Sequence, residues 1–203
     1  MMRALMNVWE PREMSADFLT MQDTELQQQA EDKGVVTIVD RGLTIWKGDI
    51  TRLKADAIVN AANAQGLGCW APLHNCIYNC IHSAAGIQLR KECNDQLQGR
   101  LLKTGEAMMT SGYNLPAKHV IHTVGPIIET GMPTKEQEEQ LAQCYRSSLD
   151  LVRAGRTGEH RFLLHINRCV PFPQRAGCRD CHRDGETLSE TIGQDYRVQR
   201  ILR

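Results

Sequence analysis

Apolar residues recur along this chain with two different periods, and the changes of period mark its elements. Over residues 1–33 the background is polar and rich in Gln and Glu. Leu5, Met6, Trp9, Phe18, Leu19, Met21 and Leu26 fall within it at helical spacing, which predicts short helices forming an N-terminal extension. "GVVTIVD" (34–40) and "LTIWKGDIT" (43–51) are β-rich and bounded by Gly and Asp, so they predict strands. "ADAIVNAAN" (55–63) is an apolar run ending in small polar residues, the pattern of a buried strand entering a loop. "HSAAGIQLRKECNDQL" (82–97) returns to helical spacing. "EAMMTSGYNLP" (106–116) and "HVIHTVGP" (119–126) predict two strands joined by a turn at Pro116. In "TKEQEEQLAQCYRSSLDLV" (134–152), Leu141, Cys144, Tyr145, Leu149 and Val152 share one face of an amphipathic helix. Strands alternating with helices imply an α/β sandwich.

Composition narrows the picture. The 203 residues suffice for one domain with a real core, and the formal net charge of zero gives no electrostatic case for nucleic acid or an anionic membrane. The first residues, "MMRALMNVWEPREMSADFL", carry early acids and no long apolar core, unlike a signal peptide. No stretch approaches the roughly 20 apolar residues that span a bilayer. The expected compartment is therefore the cytoplasm, where the eight cysteines stay reduced. Clustered cysteines there point to metal or catalysis more often than to disulfides.

The densest cluster is "GLGCWAPLHNCIYNCIH" (66–82). Cys69, His74 and Cys76 form a C-x4-H-x-C pattern, with Pro72 stiffening the loop between them. Zinc takes thiolate and imidazole ligands, and a catalytic zinc keeps one position open, which three protein ligands allow. Spacing alone leaves this balanced against three cysteines buried as small hydrophobes. Cys80 is expected in the core, and His82 is expected to pack or cap. Asn60 and Asn63 could bond ribose hydroxyls as carboxamides or could serve as turn and cap residues. Asp49 could accept from an adenine amino group, with the Ile50 amide serving the ring, or could be a solvated turn residue.

"WKGDITRLKADAIVNAAN" together with "TGEAMMTSGYNLPAKHVIHTVGP" resembles the macrodomain family, which binds ADP-ribose. Where ordinary hydrolytic macrodomains carry a glycine-rich loop, this chain carries the Cys/His loop. It is thereby similar to the zinc-dependent subclass of bacterial and fungal protein-ADP-ribose hydrolases, found alongside sirtuin-type ADP-ribosyltransferases. The resemblance covers about residues 1–152. It implies a three-layer α/β/α sandwich with a mixed sheet and a helical N-terminal extension. It also implies zinc on Cys69, His74 and Cys76, and ADP-ribose at Asp49, Ile50, Asn60, Asn63, Cys76, Ile77, Tyr78 and Asn79. The substrate implied is an ADP-ribosylated protein, with a sirtuin-type transferase and a lipoyl-carrier protein as associated partners. Asn63 and position 78 would be the catalytic residues. The family usually has aspartate where Tyr78 stands, which puts the role of that carboxylate in doubt. The reaction implied is metal-assisted hydrolysis of the bond joining ribose C1 to a protein side chain, a carboxylate ester, with zinc either polarising the distal ribose or activating water. The competing readings are an ADP-ribose-binding module without turnover and an inactive gene product.

From Ala154 onward Arg, His, Cys, Gly and Asp mix without period. "CRDCH" (178–182) matches the haem-attachment pattern, which is rejected for want of an export signal, and its spacing with Cys169 fits no common zinc knuckle. Back-translating Ala154 to Gly185 and reading one nucleotide further on can spell, with permitted codons, an apolar strand, a glycine loop ending in Phe-Pro and an amphipathic helix. These are the elements the resemblance requires next. The expected organisation is thus an extension over 1–33, an incomplete macrodomain over 34–152 and an aberrant, frameshifted tail over 153–203 that leaves the sheet without its inner strand.

Overall fold

Residues 57–61 read Ala-Ile-Val-Asn-Ala, and all of them are buried, as a strand covered on both faces requires. In the computed structural model this segment is an inner strand of a mixed, six-stranded sheet. Described are residues 2–38, 48–128 and 133–154, together with the backbone of 44–46, 160–164 and 196–201.

The strands are β1 (Thr44–Trp46), β2 (Ala57–Ala61), β3 (Ala107–Ser111), β4 (His119–Thr123), β5 (His160–Leu164) and β6 (Tyr196–Ile201), in sheet order β1-β6-β5-β2-β4-β3. β2 pairs parallel with β4, with Asn60 opposite His122, and β3 returns antiparallel along β4. The segment 34–40, expected as a strand, contributes only the parallel bridge Val36–Leu53 among its described residues.

The helices are α1 (Met2–Asn7), α2 (Ala16–Lys33), α3 (Ile77–Ala85), α4 (Ile87–Leu97) and α5 (Lys135–Ala154). Gly86, at φ 106°, breaks the expected helix over 82–97 into α3 and α4. One face of the sheet packs Ile58 and Val120 against Ile77, Ile81, Ala85 and Leu89. Val59 and Ile121 pack against Cys144, Leu149 and Val152, with Leu141 and Tyr145 alongside, which is the face the sequence assigns to α5. Helices thus lie on both sides of the sheet.

Two features differ from expectation. The extension docks through polar residues: Asn7 and Gln22 are buried with Leu26, whereas Leu5, Phe18 and Met21 are exposed. Ile87 N–H donates to Gln22 Oε1, and Gln22 Nε2 donates to Gln88 Oε1. The ends of two helices meet there, and their backbone groups need polar partners more than apolar cover. Second, the sheet is not left open after β2. β5 pairs parallel with β2 and with β6, and β6 pairs with β1, so segments beyond Ala154 occupy the inner positions. "YRVQRI" carries Tyr, Val and Ile, and "HRFLL" offers the apolar run Phe-Leu-Leu, each suited to a strand. The remaining tail, including Cys169, Cys178, Cys181 and His182, lies outside the described residues.

Candidate functional site

β2 ends at Ala61, and the chain turns through Asn63 into the cysteine loop. Asn63 is exposed, and its side-chain oxygen accepts from Gly66 N–H at 3.1 Å. Its NH2 group and the second lone pair of that oxygen remain for a ligand. Gly66 and Gly68 both have positive φ, and a Cβ on Gly68 would stand 2.9 Å from His82 Nδ1. Only glycine lets the loop approach the helix that closely.

The loop brings the three expected ligands together. One ligand atom from each of Cys69, His74 and Cys76 lies within 4.8 Å of the others, and Cys69 Sγ is 3.4 Å from His74 Nδ1. Zinc–sulfur and zinc–nitrogen bonds at a tetrahedral angle would put such atoms about 3.6 Å apart. His74 is exposed and both cysteines are half-buried, so the cluster faces outward. Cys76 caps α3, its sulfur accepting from Asn79 N–H at 3.4 Å. The positive end of a helix favours a thiolate at that position.

Asn79 is placed differently from the expected ligand contact. It is fully buried, and its amide donates to His74 O at 2.9 Å, Ala71 O at 3.2 Å and Asn7 Oδ1 at 3.1 Å. It holds the loop's shape. Asn7, from the extension, also accepts from Leu73 N–H at 2.8 Å and donates to Ser83 Oγ at 3.0 Å. Leu73 sits at φ 58°, a conformation a non-glycine residue keeps only when its surroundings enforce it. Sequence reasoning missed Asn7, because its partners lie more than sixty residues away and nothing local marks it.

A cavity of about 380 Å³ opens beside the loop. Asp49, Ile50 and Ile77 line it, as do Asn75 and Cys80, so Cys76 lies between two lining residues. Arg3 and Lys33 of the extension place two cations on its wall. Asp49 Oδ1 accepts from Thr51 N–H at 3.0 Å and from the Thr51 hydroxyl at 2.7 Å, capping a short turn of 3-10 helix at Ile50–Arg52. A carboxylate has further lone pairs for a ligand. Cys80, expected in the core, is instead half-buried on this cavity, with Arg3 Nη2 donating to its sulfur at 3.7 Å.

Asn60 and Tyr78 do not reach the cavity. Asn60 is fully buried on β2, with Nδ2 3.1 Å from His122 Nδ1. Tyr78 is 4 % exposed rather than at a ribose mouth, its ring edge-on to His82 at 4.9 Å between centroids. α3 turns position 78 inward because Ile77, Tyr78 and Ile81 form its buried face. Burial pushes the phenol's pKa up, lowers that of His82 and takes His122 down to about 3. Arg90 is also buried. It donates to Trp9 O at 2.6 Å and Asn7 O at 3.0 Å and lies 4.1 Å over the Trp70 ring, while desolvation lowers its pKa.

The Macro domain family model matches residues 59–160, and the chain is 40% identical over 197 residues to a protein-ADP-ribose hydrolase of Staphylococcus aureus. The chain belongs to the macro domain family. The match to the staphylococcal relative covers 93% of the chain and 74% of that relative, so it runs past Ala154 into the tail. A protein-ADP-ribose hydrolase of Treponema medium is 47% identical over 162 residues, 74% of this chain, and the chain spans 62% of that protein's length. Among solved structures, the Oceanobacillus iheyensis macrodomain with ADP superposes with a TM-score of 0.65 at 34% identity, covering 81% of this macro domain chain and 85% of the other. The Trypanosoma brucei macrodomain in complex with ADP-ribose gives 0.68 at 26% identity, over 99% and 90%. The macrodomain sandwich expected from the sequence is therefore the fold of this chain.

Proposed function

We propose that this macro domain removes ADP-ribose from modified protein side chains, with a zinc ion on Cys69, His74 and Cys76. The observation that carries the reading is the convergence of those three ligand atoms within 4.8 Å, on a loop whose Asn75 and Ile77 line the cavity with Asp49 and Ile50. Relatives named protein-ADP-ribose hydrolase support the reaction class. The donor set fits zinc: two sulfurs, one imidazole and an open fourth side. Zinc bound there would supply Lewis acidity to a ribose oxygen or lower the pKa of a water.

The chain's own residues do the rest. Asp49 receives the adenine amino group with the lone pairs that Thr51 leaves, and the Ile50 amide, at the start of the 3-10 turn, faces the ring. The NH2 group of Asn63 donates to the distal ribose, its oxygen being held by Gly66. Asn79 and Asn7 keep the loop in the geometry that presents the three ligands. The bond broken joins ribose C1 to the side chain, a carboxylate ester in the reading we favour. In this proposal the protein acts in the cytoplasm, with a sirtuin-type transferase installing the modification and a lipoyl-carrier protein as a carrier of it. A Fusarium oxysporum relative, 50% identical over 110 residues, is named as a probable bifunctional ADP-ribose hydrolase/ADP-ribosyltransferase, which supports that pairing.

The test is release of ADP-ribose from a mono-ADP-ribosylated protein by the full chain, before and after chelation and zinc return. Turnover that is lost on chelation and restored by zinc supports the proposal. Turnover indifferent to chelation removes the metal from it, and ADP-ribose binding without turnover leaves a binding module.

A further inference from the structure

A second cluster of metal-binding groups lies inside the fold, behind the loop that carries Cys69. His82 on α3, Cys93 on α4 and His122 on β4 are all buried, and their ligand atoms lie within 4.8 Å of one another. His122 Nε2 stands 3.8 Å from Cys93 Sγ. That is close to the roughly 3.6 Å between sulfur and nitrogen on one tetrahedral zinc ion.

The surroundings of the cluster are short of partners. Both ring nitrogens of His82 are buried with no hydrogen bond among the described residues, and so is Asn60 Oδ1 while its Nδ2 faces His122. These atoms belong to one pocket: the His82 ring meets Tyr78 at 4.9 Å and His122 at 5.7 Å, and Asn60 touches His122. A neutral imidazole has one donor and one acceptor nitrogen, and buried polar groups are nearly always satisfied. A wholly bare ring in the core therefore points to a missing partner.

We propose that His82, Cys93 and His122 hold a thiophilic d10 metal ion, zinc(II) or copper(I), in a buried site that ties α3 and α4 to the sheet. One thiolate and two imidazoles form the soft-to-borderline donor set that both ions prefer. Binding forms one metal–sulfur and two metal–nitrogen bonds and releases the Cys93 thiol proton to solvent. Burial keeps both imidazoles neutral, the form that ligates, and holds the Cys93 thiol up to about 12, so the metal must displace that proton. His122 Nε2 also lies 3.0 Å from the Thr110 hydroxyl, which itself donates to Val120 O at 3.3 Å, so binding exchanges that contact for the metal: with the Asn60 carboxamide turned so that Oδ1 accepts from His122 Nδ1–H, Nε2 is left with its lone pair for the ion beside Cys93. Copper(I) on one thiolate leaves the site neutral. Zinc(II) leaves one positive charge near the Arg90 guanidinium, which already acts on His82 and Cys93. The site shares no ligand with the outer loop and stands or falls separately from it.

The full chain carrying Cys69→Ser and Cys76→Ser lacks the outer ligands and isolates the inner site. Purified with zinc(II), or anaerobically with copper(I), and freed of loose metal by gel filtration, it is expected to retain one equivalent of one of the two ions. Cobalt(II) loading should then give thiolate-to-cobalt charge-transfer absorption of a single thiolate. Adding Cys93→Ala, or separately His82→Gln, should remove both signals while the far-UV circular dichroism stays unchanged. Should either variant misfold, the cobalt spectrum of the double variant decides. No metal above background with either ion, charge-transfer intensity of no thiolate or of several, or a full equivalent surviving Cys93→Ala overturns the proposal.

Discussion

Cys76 does two things at once: it belongs to the outer ligand cluster, and it caps α3. Cys76→Ala should therefore lower the zinc content attributable to the loop and weaken the start of α3 by about 1 kcal/mol, the usual cost of a lost cap. Metal analysis combined with thermal melting separates the two effects, and undiminished zinc would remove Cys76 from the ligand set. Asp49 is likewise double. Asp49→Ala removes the cap on Thr51 together with the proposed adenine contact, and should weaken ADP-ribose binding by about 1.5–3 kcal/mol by calorimetry. Asp49→Asn retains a capping oxygen, so it should keep the stability and lose only the charged part of the binding. Tyr78 behaves differently. Its hydroxyl is buried, with the Gly68 backbone beside it, so Tyr78→Phe should change the stability read from thermal melting by no more than about 1 kcal/mol, with no fall in hydrolysis. A large loss of turnover in a stable Tyr78→Phe protein would return Tyr78 to the catalytic role the sequence suggested.

The N-terminal helices matter less for the apolar area they cover than for the polar atoms they bring. Asn7, at the end of α1, reaches Leu73, Asn79 and Ser83, and α1 ends where Asn7 O and Trp9 O accept from Arg90. α2 brings Gln22 to the N-terminus of α4. The extension is thus a clamp on the cysteine loop and on α4. Asn7→Ala leaves Leu73 N–H and one Asn79 donor without that partner, which should cost about 1–3 kcal/mol. The loop should relax from its φ 58° at Leu73, and the zinc affinity of the outer site should fall with it. A competitive chelator titration reads this, and an unchanged affinity in a folded Asn7→Ala protein would show that the loop keeps its shape unaided.

At the scale of the whole molecule, the tail decides how the sheet closes. β5 and β6 supply parallel partners for β2 and β1, yet the residues that provide them carry no period in the sequence. We propose that this segment derives from a shifted frame, and DNA sequencing across the codons near Val152 tests it. A frame-restored chain is expected to melt higher and hydrolyse faster than the chain as written, because it would put a more apolar strand in place of β5 and add the glycine loop and a final helix. Equal melting temperature and rate in the two would show that the tail as written completes the fold. The sequence by itself determined the elements whose signal is local: the buried run of β2, the hairpin-like pair β3 and β4, the apolar face of α5, and a ligand loop in which all three donors fall within eight residues. What only the tertiary structure decided were contacts between distant segments. Whether Asn60, Tyr78 and Asn79 face a ligand or the core depends on where β2 and α3 turn their sides, and here neighbours such as His122 and Asn7 claim them. The inner His82, Cys93 and His122 come from two helices and a strand, at spacings no motif describes, and packing alone brings them within reach of one another.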